Sequence, residues 1–127
     1  MMTILIADDE PHVVELVRVT LEDDRMWIVE ASGGAGALEL ADLLGPELIF
    51  LDVHMPDMSG LDVCRRLRAD PRFATTCIVM LTAAAQREEV ARGLAAGATE
   101  YLTKPFSPVR LLGLVERLLP RATWQPR

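Results

Sequence analysis

The sequence predicts an α/β domain, a doubly wound parallel sheet of five strands with five helices. Three observations predict it. Short apolar runs rich in β-branched residues recur along the chain. Segments with apolar residues at helical spacing separate them. Gly, Pro and Asp mark most of the junctions. Strands that alternate with helices favour a parallel sheet covered on both faces.

Thr3-Ile-Leu-Ile-Ala7 reads as the first strand and stops at Asp8-Asp9-Glu10. Pro11 suits a first helical turn, and Val13, Val14, Leu16, Val17 and Leu21 extend that helix to about residue 22. Met26 to Glu30 is the second strand. Gly33-Gly34 turn the chain into a helix over Ala35 to Leu44, and Gly45-Pro46 end it. Leu48-Ile-Phe-Leu51 is apolar throughout, as expected of a central strand, with Asp52 at its carboxyl end. Ser59 is the expected N-cap of a helix over Gly60 to Ala69, which Asp70-Pro71 terminate. Thr76 to Leu81 is the fourth strand, closed by Thr82. The fourth helix runs from Gln86 to Ala96, is rich in alanine, and has Gly97 as its C′ residue. Thr99 to Thr103 is a short fifth strand ended by Lys104-Pro105. Ser107-Pro108 open a fifth helix that runs to about Leu119, where Pro120 stops it. Right-handed crossovers then favour the flavodoxin-like strand order 2-1-3-4-5. Residues 1–120 form one domain, and 121–127 read as a flexible tail or the start of a linker.

Half of the 127 residues are apolar, ample for one buried core. The net charge of −6 makes direct nucleic-acid binding a poor expectation, because that relies on Lys and Arg neutralising phosphates. Cys64 and Cys77 lie inside apolar segments and read as small core residues of a reducing compartment. No apolar run approaches the roughly 20 residues of a membrane span, and no signal-peptide pattern opens the chain. A cytoplasmic location with no membrane partner is expected.

In the order 2-1-3-4-5, strands 1 and 3 are neighbours, and ligands bind beyond the carboxyl ends at such a switch point. Asp8 and Asp9 then meet Asp52. Two like charges ~4 Å apart repel by about 4 kcal/mol at an effective dielectric near 20. Protonation of one acid, or a hard cation such as Mg2+, relieves that. Thr82 and Lys104 end strands 4 and 5 at the same edge. Acids, hydroxyl and ammonium together read as a phosphoryl-transfer site, with Asp52 as nucleophile. Each member also has a plain structural role: Asp52 or the acidic run as a cap of loop or helix, Thr82 bonded to backbone, Lys104 reaching from a strand end to solvent. The convergence at successive strand ends favours the site. A flavodoxin-type cofactor binder would need a glycine- and hydroxyl-rich loop where Asp8-Asp9-Glu10 stand. An aspartate-nucleophile phosphatase would carry its acceptor on the first strand.

Ile6-Ala-Asp-Asp-Glu-Pro11, Leu51-Asp-Val-His-Met-Pro-Asp-Met-Ser-Gly60, Leu81-Thr-Ala83 and Gly97-Ala-Thr-Glu-Tyr-Leu-Thr-Lys-Pro-Phe106 resemble, in order, the receiver domain of bacterial two-component response regulators. The resemblance covers Thr3 to about Leu119. It implies that Asp52 accepts a phosphoryl group from a sensor histidine kinase or phosphotransfer protein. It implies Mg2+ held by Asp8, Asp9, Asp52 and the backbone carbonyl of His54, with Asp9 the more direct ligand of the acidic pair. Lys104 matches the phosphate-binding lysine, and its bond to Pro105 resembles the family's cis peptide. Thr82 and Tyr101 resemble the switch pair; an ordinary edge-strand aromatic is the plain reading of Tyr101. His54 and Ala84 match positions that flank the phosphoryl group and are expected to set its hydrolysis rate.

Such a domain is no enzyme beyond its own aspartyl phosphorylation and dephosphorylation. It switches the surface of the fourth helix, fifth strand and fifth helix toward an effector protein or an output domain outside this sequence. A phosphorylation-dependent homodimer is a further expectation, although Arg110 and Leu114 depart from the charged dimer surface of winged-helix regulators. Leu114 is expected near the centre of the docking face. A degenerate receiver that acts as a phosphorylation-independent scaffold is the alternative, against which the intact Asp52, Thr82 and Lys104 weigh.

Overall fold

The computed structural model describes residues 2–83 and 87–119. Its strands are β1 (Met2–Ala7), β2 (Met26–Ala31), β3 (Leu48–Asp52), β4 (Cys77–Ala83) and β5 (Glu100–Lys104). Its helices are α1 (Pro11–Leu21), α2 (Gly34–Leu44), α3 (Gly60–Arg68), α4 (Arg87–Ala95) and α5 (Pro108–Leu118), with a 3-10 turn over Pro71–Phe73. All strand pairs are parallel and the sheet order is β2-β1-β3-β4-β5, the flavodoxin-like order expected. Element bounds differ from the expected ones by one or two residues. The expected stop at Pro120, the tail 121–127, Gln86 and Ala84 lie outside the described residues.

Period-2 alternation divides the core between two faces. Ile4, Ile6, Phe50, Val79, Leu81 and Leu102 pack with α1 and α5. Leu5, Ile49, Leu51, Ile78 and Met80 pack on the other side, under α2 and α3. That is why β3 is apolar at every position before Asp52: both of its faces are covered. The thiols behave as small core groups. Cys64 is buried and Cys77 partly so, each with its sulfur near a backbone carbonyl, and both are free.

Helix ends follow local chemistry. The Ser59 hydroxyl accepts from Leu61 N–H at 3.0 Å, and that of Ser107 accepts from Arg110 N–H at 3.2 Å. Gly97 has φ +105°, where a side chain would be strained, and its amide closes the turn after α4 by donating to the Leu94 carbonyl. Only Gly93 of α4 is fully buried, against Met80, while Leu94 lies half exposed. An alanine-rich helix with so little buried apolar surface is lightly anchored.

The fifth helix corrects one expectation. Leu114 is not at the centre of a docking face; it is 4% exposed, in the core with Leu111 and Val115. The 3.6-residue period turns these residues onto the sheet and leaves Val109, 78% exposed, as the apolar residue facing outward. Truncating Leu114 to alanine should therefore cost about 2–5 kcal/mol by urea denaturation, the range for a buried leucine. A loss below 0.5 kcal/mol, the scale of surface substitutions, would restore the exposed placement.

Candidate functional site

Register builds the site. Ala7 pairs with Leu51, so Asp8 and Asp52 emerge side by side from neighbouring strands. Asp52 pairs with Leu81, which sets Thr82 one residue further along β4. Ala83 pairs with Lys104, which completes the row. Four residues from four strands thus reach one sheet edge, as expected.

After β3 the chain turns sharply. Gly60 N–H donates to the Val53 carbonyl at 3.0 Å, and a Cβ on Gly60 would collide with the Asp52 carbonyl oxygen. Glycine is required because backbone meets backbone there. His54 N–H donates to Asp52 Oδ1 at 3.4 Å. The His54 imidazole points outward, with Nε2 3.1 Å from Glu89 Oε1 on α4.

Lys104 is the electrostatic hub. Its Nζ lies 2.8 Å from Asp8 Oδ2, 2.8 Å from Glu10 Oε1 and 3.4 Å from Asp52 Oδ1. Asp8 splits its work. Oδ1 accepts from Glu10 N–H at 2.8 Å and shapes the loop, whereas the buried Oδ2 faces the ammonium in an ion pair without hydrogen-bond alignment. The acidic run places no side-chain cap on α1, so the plain capping role is not realised; Asp8 shapes the loop with one oxygen and faces the pocket with the other. Asp9 is exposed, but one of its oxygens lies within 4.8 Å of oxygens of Asp8, Glu10 and Asp52. Three carboxylates face one ammonium and Asp9 joins their oxygens, and all four are hard donors that suit a divalent cation.

The charges respond. Burial, and then the neighbouring Asp8 charge, push the Asp52 carboxyl up from 3.8 to about 6, against the pull of Lys104. Burial draws Lys104 down, but its contacts with Asp8 and Glu10 and the Asp52 charge hold the ammonium above its usual range. The hydrogen bond from Lys104 lowers Glu10.

Thr82 is buried, and its hydroxyl donates to the Ala83 carbonyl at a long 3.3 Å. Tyr101 faces outward on edge strand β5, 38% exposed. The Lys104-Pro105 bond is cis. Glu10 and Glu89 were not foreseen as partners of Lys104 and His54. Glu10 stands in the acidic run but reads there as a helix-capping acid, and nothing in the sequence pairs it with a lysine 94 positions away.

The sequence matches the family profile of the response regulator receiver domain over residues 4–116. The chain belongs to that family. This receiver domain is 40% identical, over its whole length, to 53% of the DNA-binding dual master transcriptional regulator RpaA of Synechocystis. It is 39% identical over 94% of its length to 49% of the alkaline phosphatase synthesis transcriptional regulatory protein PhoP of Bacillus subtilis. It spans about half the length of these regulators. Among solved structures, the chemotaxis response regulator CheY4 of Vibrio cholerae superposes with a TM-score of 0.87 at 34% identity, covering 94% of this chain and 99% of that one. The BeF3-activated DrrB receiver domain superposes with a TM-score of 0.82 at 32% identity, covering 93% and 97%. The domain is thus a component of two-component signalling. Among the described residues, no helix is long and apolar enough to cross a membrane.

Proposed function

We propose that this receiver accepts a phosphoryl group on Asp52 from a histidine kinase or phosphotransfer protein. The observation that carries the reading is Lys104 held between Asp8, Glu10 and Asp52 at the carboxyl edge of the sheet. A carboxylate oxygen of Asp52 attacks phosphorus, the bond from phosphorus to the donor's nitrogen breaks, and an aspartyl phosphate forms. The Lys104 ammonium, already within 3.4 Å of Asp52, moves onto a phosphoryl oxygen. The Thr82 hydroxyl gives up its weak bond to Ala83 and donates to another.

The acidic pocket fits Mg2+. Four carboxylates lie within 4.8 Å of one another, the buried Asp8 Oδ2 has no hydrogen bond, and Asp52 is pushed up by burial and then by the Asp8 charge. Asp8, Asp9, Asp52 and the His54 carbonyl would hold the ion, with Asp9 the more direct of the acidic pair. When bound, it would offset the charge of the acids and the phosphoryl oxygens. Beyond this self-phosphorylation and its reversal, the domain is no enzyme.

Thr82 and Tyr101 form the switch. As Thr82 moves to the phosphate, the outward Tyr101 turns into the space behind it, and the lightly anchored α4 adjusts. Moving a two-state equilibrium from 1:99 to 99:1 takes about 5.5 kcal/mol of differential stabilisation. A doubly charged group with new bonds to Lys104 and Thr82 supplies charge-assisted contacts of that order. The signal leaves through the face of α4, β5 and α5 to an effector, a second copy or an output domain. RpaA and PhoP are transcriptional regulators by name, and a DNA-binding output in the same polypeptide is one form this takes.

Intact mass after incubation with acetyl phosphate, with and without Mg2+, tests the reading. Wild type should gain one phosphoryl group only with Mg2+, and Asp52→Asn should gain none. No gain in wild type would overturn it in favour of a phosphorylation-independent scaffold.

A further inference from the structure

The loop that follows Asp52 is pinned to the start of a neighbouring helix. The Asp57 carboxylate reaches across 22–23 residues of sequence to the start of α2. Its Oδ1 accepts from Gly34 N–H at 2.9 Å and its Oδ2 from Ala35 N–H at 2.9 Å. Oδ1 also accepts from Met58 N–H at 3.0 Å, which shapes the loop around the carboxylate. Helix α2 has no cap of its own. Its N-cap is Gly33, with no side-chain bond and no acid in the first turn. The first amides of a helix need acceptors and favour negative charge. Asp57 supplies both from another segment, and those amides hold its carboxyl below the ordinary range, Ala35 first and Gly34 second.

The two glycines fit this contact. Gly33 has φ −158°, an extended conformation any residue adopts, so backbone strain does not require glycine there. Space does: a Cβ on Gly33 would fall 2.7 Å from Asp57 Oδ1. A Cβ on Gly34 would collide with Met58 Cγ and come within 2.9 Å of Met58 Sδ. Ser or Asp at Gly33, the usual choice for an N-cap, would exclude the carboxylate that now does the capping.

We propose that Asp57 is a positioning residue that fixes the loop over Val53 to Met58, and with it the backbone of His54, for cation binding and phosphorylation at Asp52. The inference rests on the phosphoryl-acceptor reading above. The loop leaves Asp52 directly, is closed at its base by the Gly60 to Val53 hydrogen bond, and is tied between those ends to α2 through Asp57. Asp57 itself lies on the helix side of the loop, so it acts through the backbone and touches no reacting atom.

The test is a Mg2+ titration of the full chain, followed by the His54 amide resonance, on wild type, Asp57→Ala, Gly33→Ala and the double variant. Loss of the tie should weaken Mg2+ binding by on the order of tenfold, as for other groups that orient a ligand without touching the ion. It should speed hydrogen exchange at Gly34, Ala35 and His54. Gly33→Ala, which crowds the carboxylate while keeping it, should weaken binding in wild type and have little further effect once Asp57 is alanine. Autophosphorylation should need correspondingly more Mg2+ to reach half-maximal rate and approach the wild-type rate at saturation. An unchanged Mg2+ affinity in Asp57→Ala, or equal effects of Gly33→Ala in both backgrounds, overturns the proposal. If Asp57→Ala does not fold, Asp57→Asn decides by the same criteria. If wild type itself neither binds Mg2+ nor takes up a phosphoryl group, the acceptor reading fails first and is distinguished by that.

Discussion

Asp52→Asn is expected to make the metal-free domain more stable at neutral pH while abolishing phosphorylation. The Asp52 carboxyl is held at about 6 in the fold against 3.8 in the open. The folded state therefore binds this proton more tightly than the unfolded state. Below 3.8 both states carry it and the group contributes no penalty. Between 3.8 and 6 the unfolded chain ionises while the fold retains the proton, so stability falls as pH rises. Above 6 the penalty is complete, about 3 kcal/mol from the size of the shift. Asparagine fills the same volume without that charge. Urea denaturation in EDTA should show the variant gaining on wild type from pH 4 to pH 7, by up to about 3 kcal/mol. Added Mg2+ should narrow the gap by stabilising wild type more, since an ion that binds only the native state stabilises in proportion to its affinity. Parallel stability curves across that pH range would show that Asp52 carries no such burden. A functional carboxylate kept at a cost to stability is a common compromise in proteins.

Much of this was legible before the fold. The apolar run Leu48 to Leu51 marks a strand covered on both faces, and a carboxylate at its carboxyl end marks the sheet edge as the place to look. Once β1 and β3 are neighbours, Asp8 and Asp52 must meet, and Lys104 follows from the register of β5. The failures have a shared physical cause. Periodicity shows that α5 has an apolar stripe broader than one face, but not how the helix is rotated, so it does not reveal that Leu114 points into the core. Contacts set by tertiary approach leave no local trace. Nothing near Asp57 in sequence says that it caps a helix 22 residues earlier. Likewise, His54 reads as a loop residue until α4 brings Glu89 to it.

Lys104→Met should be the most damaging single change that leaves the apolar core intact. Methionine keeps the stem and removes the ammonium. Among the described residues, Asp8 and Asp52 have no other cationic partner within ion-pair range, and both are buried. Breaking a buried ion pair from one side typically costs about 3–5 kcal/mol, because the remaining charge stays desolvated. The loss should be largest at pH 7 to 8 in EDTA and should shrink as pH falls, since protonating the stranded acids removes their repulsion. Adding Asp52→Asn to Lys104→Met should recover part of the loss, a coupling that separates charge balance from packing. A cost below 1 kcal/mol, or no recovery in the double variant, would mean that Lys104 does not neutralise this pocket. The same variant bears on function. At rest the ammonium sits closer to Asp8 and Glu10, at 2.8 Å each, than to Asp52 at 3.4 Å. Charge entering at Asp52 must draw it away from acids it already satisfies. On the proposed reading Mg2+ would relieve those acids at the same moment, so the cation and the lysine would exchange roles as the phosphoryl group arrived. With methionine at 104, Mg2+ should still bind and still stabilise the fold, while the aspartyl phosphate should no longer move Thr82 and Tyr101 into the switched arrangement.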